Sequence, residues 1–329
     1  MRFFPMLAVL SLCAAAEAAP DKMRAVEIGP DGSLSVQSRS VPRPNAGEVL
    51  LKVRAAGVNP VDWKVAPRRI GMVPGTDVAG VIDSLGEGVD GWKVGDPVLG
   101  FARGSGSYAE YAVVPVTSLA RKPKSMTFEQ AAGVPIAAET AYRALHEAGG
   151  IQSGQTVLIH GAAGGVGSAA VQIAEAAGAR VVGTASPNNH EFLKSIGADE
   201  VIDYRTVRFE DVVKDVDLVL NTADAATNAR SVGVVRAGGT LVSIVGAPNL
   251  AACAVAKIRC ARPNREAGAP IADLLARVVE LADAGKFKVN VEATYPMEEV
   301  GKAWLKSREG HVRGKLIIQV TPGPTMRHQ

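Results

Sequence analysis

Among the residues of this chain that could do chemistry, the most informative have almost no side chain. Gly161-Ala162-Ala163-Gly164-Gly165-Val166-Gly167-Ser168 follows the apolar run Thr156-Val157-Leu158-Ile159-His160. It opens into a stretch with Val171, Ile173, Ala174 and Ala177 at helical spacing. A turn between a buried strand and a helix can bring backbone N–H groups and the helix N-terminus up to a pyrophosphate, provided no side chain intervenes. Gly164 suits the approach of the phosphate and Gly167 the approach of helix to strand, while Ala163, Gly165 and Val166 complete the surrounding backbone. Ala162 stands where the usual fingerprint has its first glycine, so the reading rests on strand, turn and helix together. The end of the next strand decides which dinucleotide fits. An acidic residue there would bind a ribose 2′-hydroxyl and repel a 2′-phosphate, but the sequence runs Gly183-Thr184-Ala185-Ser186-Pro187-Asn188-Asn189. This loop predicts NADPH, with Ser186, Asn189 and, past the third strand, Tyr204 as candidate phosphate contacts. Capping of the next helix would account for Ser186 and Asn189 equally well.

Soft and imidazole ligands are scarce, with three cysteines and five histidines in 329 residues. They cannot build a four-cysteine zinc site or a disulfide-stapled scaffold. His160, ending a buried strand, reads as a satisfied core residue. On a continuous helix, Cys253 and Cys260 would be separated by about 10.5 Å of rise, beyond the usual disulfide spacing, so they pair only if that segment is a loop. The net charge of +3 is spread along the chain and leaves no nucleic-acid footprint. With 47% hydrophobic and 21% charged residues the chain is globular, and its length suits about two domains.

The elements that must position these residues fall into two textures. Strands are expected at 23–28, 48–55, 77–85 and 108–114, punctuated by Gly and Pro turns, which makes an antiparallel, barrel-like β domain. Helical sequence at 128–134 and 137–148 introduces a second domain. There, strands at 156–160, 180–185, 200–203, 217–221 and 240–245 alternate with helices at 167–177, 189–196, 209–214 and 225–236, giving five parallel strands in a doubly wound sheet. A strand at 287–291, a helix at 297–307 and a last strand at 315–320 follow, and that last strand could pair back onto the first domain.

Residues 1–19 place Arg2 before the apolar run from Phe3 to Ala16 and the small-residue exit Ala16-Glu17-Ala18-Ala19, the order of a secretory signal peptide. Leu12 before Cys13 disfavours lipidation, and the run falls short of the roughly 20 residues of a membrane span. Met23 is the alternative start. Export would leave Cys253 and Cys260 in an oxidising compartment; otherwise the protein is cytoplasmic.

Several separated motifs together resemble the medium-chain dehydrogenase/reductase superfamily, in its zinc-independent branch of quinone oxidoreductases and enone reductases. They are Val58-Asn59-Pro60-Val61-Asp62-Trp63-Lys64, Pro74-Gly75-Thr76-Asp77-Val78-Ala79-Gly80, Val94-Gly95-Asp96-Pro97-Val98, Gly106-Ser107-Tyr108-Ala109-Glu110-Tyr111, the glycine-rich turn, and Gly197-Ala198-Asp199-Glu200-Val201-Ile202-Asp203-Tyr204. The resemblance implies an α/β protein with a GroES-like β-barrel domain (23–143 and 288–320), a Rossmann domain (144–287), and the nicotinamide in a cleft between them. Where zinc-dependent relatives carry a cysteine and a His-Glu pair, this sequence has Val58-Asn59-Pro60 and Thr76-Asp77, so no metal is expected.

The implied chemistry is hydride transfer from NADPH to a quinone or enone, with the protein supplying orientation and a hydrogen bond to the developing oxyanion. By resemblance, Asn59 lies near the nicotinamide, and Lys64 stabilises an enolate or hydroquinone anion unless it merely ion-pairs with Asp62. Tyr108 donates a proton or packs, and Thr140, Val245, Gly246 and Ala247 line the nicotinamide pocket. The short stretch 65–73 carries Arg68 and Arg69, and 249–268 matches the family weakly. A homodimer is a further implication of the family. A catalytically weak NADPH-binding protein is the competing reading, to which the export-like segment gives weight. An alcohol-oxidising dehydrogenase is disfavoured by the missing zinc ligands.

Overall fold

The computed structural model describes residues 19–104, 106–266 and 268–320; the signal-like segment lies, but for Ala19, outside the described residues. One sheet has six parallel strands in the order Glu200–Asp203, Arg180–Ala185, Thr156–His160, Val216–Asn221, Val235–Ser243, Arg259–Ala261. In chain order this is third, second, first, fourth, fifth, sixth, the doubly wound arrangement. Val157, Leu158 and Ile159 in its central strand are fully buried, as a strand covered on both faces requires.

The sixth strand corrects the expected five. Arg259–Ala261 pairs only three residues with the fifth strand, too few for a periodic signal. The helix expected at 225–236 also stops early. It ends at Ser231, Val232–Val234 tightens into a 3₁₀ turn, and the chain enters the fifth strand at Val235.

The second sheet is organised on Glu48–Val58. This strand pairs antiparallel with Asp77–Leu85 along most of its length, with Tyr111–Pro115 over its first half, and with Lys315–Gln319 over its last residues. The last described strand thus returns to the domain in which the chain began. Pro97–Phe101 and Leu119–Arg121 extend one edge, Val291–Pro296 the other, and Lys22–Ile28 forms a hairpin with Leu34–Ser40. The final-domain strand lies at Val291–Pro296 and not at 287–291. Phe287 is buried in the core shared with the Rossmann sheet, and the Lys288 backbone is occupied by the Gln172 side chain, which exchanges two hydrogen bonds with it.

The helices Phe128–Ala132 and Pro135–Tyr142 lie between the sheets. Thr127 starts the first with a reciprocal capping box to Gln130. The second continues into wider π-helical turns over Arg143–Gly149. Ala55 and Ala79 of the first domain share one buried cluster with Ala137, Ala138, Ala141 and Val157, so small side chains bring the sheets close together. Cys253 and Cys260 are joined by a disulfide because the helix Leu250–Val255 ends between them. Lys257 then takes a left-handed φ of 56°, and the chain turns back with the two Cα atoms 6.1 Å apart.

Candidate active site

The glycine-rich turn is a cradle made of backbone. Gly164 is the extended residue before the helix Gly165–Ala176, and no side chain caps that helix. Its first N–H groups therefore lack intrahelical acceptors. A Cβ on Gly167 would stand 2.2 Å from the Gly161 carbonyl oxygen and 2.7 Å from the Ala162 Cα, so the helix seats on the turn only as glycine. A Cβ on Gly164 would meet only the Gly161 oxygen, at 3.5 Å. The space before an uncapped helix start fits a pyrophosphate. From the far end of the chain, the Gly314 N–H donates to the Ala163 carbonyl at 2.8 Å and Gly314 bridges to Gly164.

At the next strand's end, Asn189 Nδ2 donates to Ser186 Oγ at 3.2 Å. Asp203 pairs with Ala185, which puts exposed Tyr204 at the same end of the sheet as Ser186. Arg313 is one residue that sequence reasoning missed. Its Nε donates to Asn189 Oδ1 and its Nη2 to the Asn188 carbonyl, both at 2.6 Å. No local signal announces it, because 124 residues separate the partners. Val245 and Gly246 follow the fifth strand at this same end of the sheet, held by Asn228 Nδ2 on the Val245 carbonyl. Half-buried Thr140 lies on the helix Pro135–Tyr142, whose Ile136 N–H donates to Asp77 Oδ1 at 3.1 Å.

His160 is a core residue. Nδ1 contacts Thr184 Oγ1 and Nε2 contacts Ser231 Oγ, each at 3.1 Å. Burial pulls its pKa down to about 4, so the ring is neutral at physiological pH.

Asn59 sits in a buried polar cluster. Lys315, only 4% exposed, directs Nζ at Asn59 Oδ1 (2.5 Å), the Val58 carbonyl (3.1 Å) and Asp77 Oδ2 (3.4 Å). Asp62 Oδ2 accepts the Asn59 backbone N–H and the Tyr108 hydroxyl, both at 2.8 Å. Burial pushes Asp62 up to about 7 and raises Asp77, the latter against the pull of the Lys315 ammonium.

The contacts of Tyr108 and Lys64 bear on the roles expected of them. Tyr108 is fully buried with its hydroxyl donating to Asp62 Oδ2, and burial and that carboxyl raise its pKa, surroundings that suit the packing role. Lys64 is exposed, its ammonium 5.3 Å from the centroid of the Trp63 ring, and Arg308 lies over the same ring. Asp62, its expected ion partner, accepts from Tyr108 and the Asn59 backbone. Arg69 spends its guanidinium on the Gly104 carbonyl. Among the described residues, no group of three or more His, Cys, Asp or Glu is placed to hold a metal ion.

Residues 45–124 match the family model for an alcohol dehydrogenase GroES-like domain, and residues 196–318 the model for a zinc-binding dehydrogenase. A chloroplast envelope quinone oxidoreductase homolog of Arabidopsis thaliana is 34% identical over 301 residues, covering 85% of this chain and 92% of its own. The 2-methylene-furan-3-one reductase of Solanum lycopersicum is 34% identical over 330 residues, covering 92% and 80%. The structure of a quinone oxidoreductase from Coxiella burnetii matches with a TM-score of 0.80 at 28% identity, over 91% of this chain and 100% of that one. With both sheets and these relatives in agreement, the chain belongs to the medium-chain dehydrogenase/reductase superfamily, as an oxidoreductase of its quinone oxidoreductase-like branch.

Proposed function

We propose that the protein is an NADPH-dependent reductase that delivers hydride to a quinone or to the β-carbon of an α,β-unsaturated carbonyl, without a metal. Arg313 carries this reading. A guanidinium bonded to the carboxylate-free loop 186–189 supplies the cation that the loop itself lacks, and such a fork suits a phosphate. Backbone at 163–167 would hold the pyrophosphate; Ser186, Asn189, Tyr204 and Arg313 the 2′-phosphate; and Thr140, Val245, Gly246 and Asn59 the nicotinamide end. Bound there, the cofactor supplies the hydride.

The names of the quinone and furanone reductase relatives support the acceptor class. So does the donor chemistry of Asn59 and Thr76-Asp77, which offers an amide, a hydroxyl and a carboxylate where zinc-dependent relatives offer a cysteine and a His-Glu pair. The Cys253–Cys260 disulfide supports an oxidising compartment and hence export. The test follows NADPH consumption by the purified protein with 1,4-benzoquinone and with an α,β-unsaturated ketone. Turnover with NADPH about tenfold or more above NADH is expected. Tight NADPH binding without turnover on either acceptor would instead make this a binding protein.

A further inference from the structure

The outer side of residues 60–72 is apolar and cationic at once. The helix Pro60–Val65 continues through the 3₁₀ turn Ala66–Arg68, and on that path Asp62 and Ala66, four residues apart, are buried. Val61, Lys64 and Arg68, at spacings of three and four, are exposed on the opposite face. Arg69 to Met72 then closes a tight turn, with the Met72 N–H on the Arg69 carbonyl at 3.0 Å and Gly71 at a left-handed φ of 77°. This turn is held to the end of the first strand: the Gly71 N–H donates to the Ile28 carbonyl and the Ile28 N–H to the Met72 carbonyl. Ile28, Val61 and Arg69 line one small cavity, so the helix face and the turn are neighbours. Val61, Ile70 and Met72 are 42, 53 and 44% exposed, an apolar group that folding leaves in water.

The cations around this group lack carboxylate partners. Lys64 Nζ and the Arg308 guanidinium lie 5.3 and 5.2 Å from the centroid of one ring, that of half-buried Trp63, whose Nε1 donates to Ser307 Oγ at 3.1 Å. Arg69 bonds to the Gly104 carbonyl, a neutral acceptor, and Arg68 is exposed. Among the described residues none of these four cations is in an ion pair. Carboxylates of the adjoining segments are committed elsewhere: Asp62 is buried against Asn59 and Tyr108, Glu27 holds Arg39, and Glu309 holds Lys306. Two like charges on one indole, with no acid between them, make a field that an outside anion relieves.

We infer that this face docks on an anionic lipid bilayer, its four cations against headgroup phosphates and Val61, Ile70 and Met72 at the boundary between headgroups and acyl chains. Both halves of the surface are used there: the apolar side chains leave water and the cations meet the negative surface potential. A nucleic acid would supply phosphates but leave the apolar group in water. A fluid bilayer also receives an exposed turn without a pocket shaped to it. The inference stands apart from the reductase reading; under that reading the bilayer is where a lipid-soluble acceptor would be held.

The experiment is sedimentation of the purified full chain with vesicles of phosphatidylcholine alone and of phosphatidylcholine mixed with phosphatidylglycerol. Wild type should bind the anionic vesicles about tenfold or more tightly than the neutral ones, and the difference should shrink as salt rises. Ile70→Ser with Met72→Ser, and separately Lys64→Gln with Arg68→Gln, should each weaken anionic-vesicle binding by about tenfold. All four side chains are exposed, so the fold survives these changes, as an unshifted denaturation midpoint would show. Tryptophan quenching by brominated lipid supplies a local readout. It should be strong in wild type and largely lost in Trp63→Phe, which separates this face from the apolar run Phe3 to Ala16, where there is no tryptophan. Equal binding to both vesicle types, undiminished binding by either double variant, or quenching that survives Trp63→Phe would overturn the proposal. None of these results bears on the reductase reading, which NADPH turnover decides.

Discussion

The glycine-rich turn and the Lys315 cluster are joined through Gly314, yet they are built in opposite ways. The turn is eight consecutive residues whose function depends on atoms that are missing, with Gly167 pressed against Gly161 and Gly164 facing open space. The cluster gathers Asn59, Asp62, Asp77, Tyr108 and Lys315 from four separate stretches, and it depends on charges that must be matched once buried. A backbone site can be specified locally. A buried polar site is specified by topology, here by the return of Lys315–Gln319 to the strand Glu48–Val58.

The largest effect expected from breaking the comparison is at the turn. Gly167→Ala places a Cβ 2.2 Å from a carbonyl oxygen and should cost about 3 kcal/mol of stability in denaturant titration, together with most NADPH affinity. Gly164→Ala, with room for its Cβ and an ordinary φ of −74°, should stay within about 1 kcal/mol of wild-type stability. It should nonetheless weaken NADPH by about tenfold, because the added methyl group occupies the phosphate's space. If both substitutions move stability and binding in parallel, the turn is a folding element and not a cradle.

A smaller effect distinguishes the cluster, which titrates as the turn cannot. Asp62 is raised from 3.8 to about 7, so the folded state holds a proton that the unfolded state releases, and its contribution to stability falls as pH rises from about 4 to 7. His160, lowered from 6.5 to about 4, acts in the opposite direction over most of that window. The difference between wild type and Asp62→Asn therefore isolates the carboxyl. Wild-type stability relative to Asp62→Asn should decline by about 1 kcal/mol or more between pH 4 and 7, measured as chemical-denaturation midpoints. A flat difference would mean that Asp62 is ionised throughout.

The same contrast explains what was legible in the sequence. The strand Thr156–His160, the turn and the helix after it were readable because their pattern is local and periodic, and the doubly wound sheet followed from repeats of that unit. Arg259–Ala261 was not, because three residues carry no period. The Phe287, Val289, Val291 alternation imitated a strand while serving the core between the sheets. Asn59 was found through its motif. Lys315 and Arg313 were not, since nothing near Gly314 in the sequence reports that the segment returns to the glycine-rich turn and to Asn59. Lys64 drew attention through the same motif and its resemblance, whereas the ammonium bonded to Asn59 belongs to Lys315. The disulfide depended on where a helix stops, which its seven-residue spacing could not decide.

The most direct test of the account is the ratio of NADPH to NADH dissociation constants in wild type and in Arg313→Ala. If the 313–315 segment completes the 2′-phosphate site, the substitution should weaken NADPH by about 10- to 30-fold and leave NADH within about twofold. Equal weakening of both cofactors, or none of either, would contradict it.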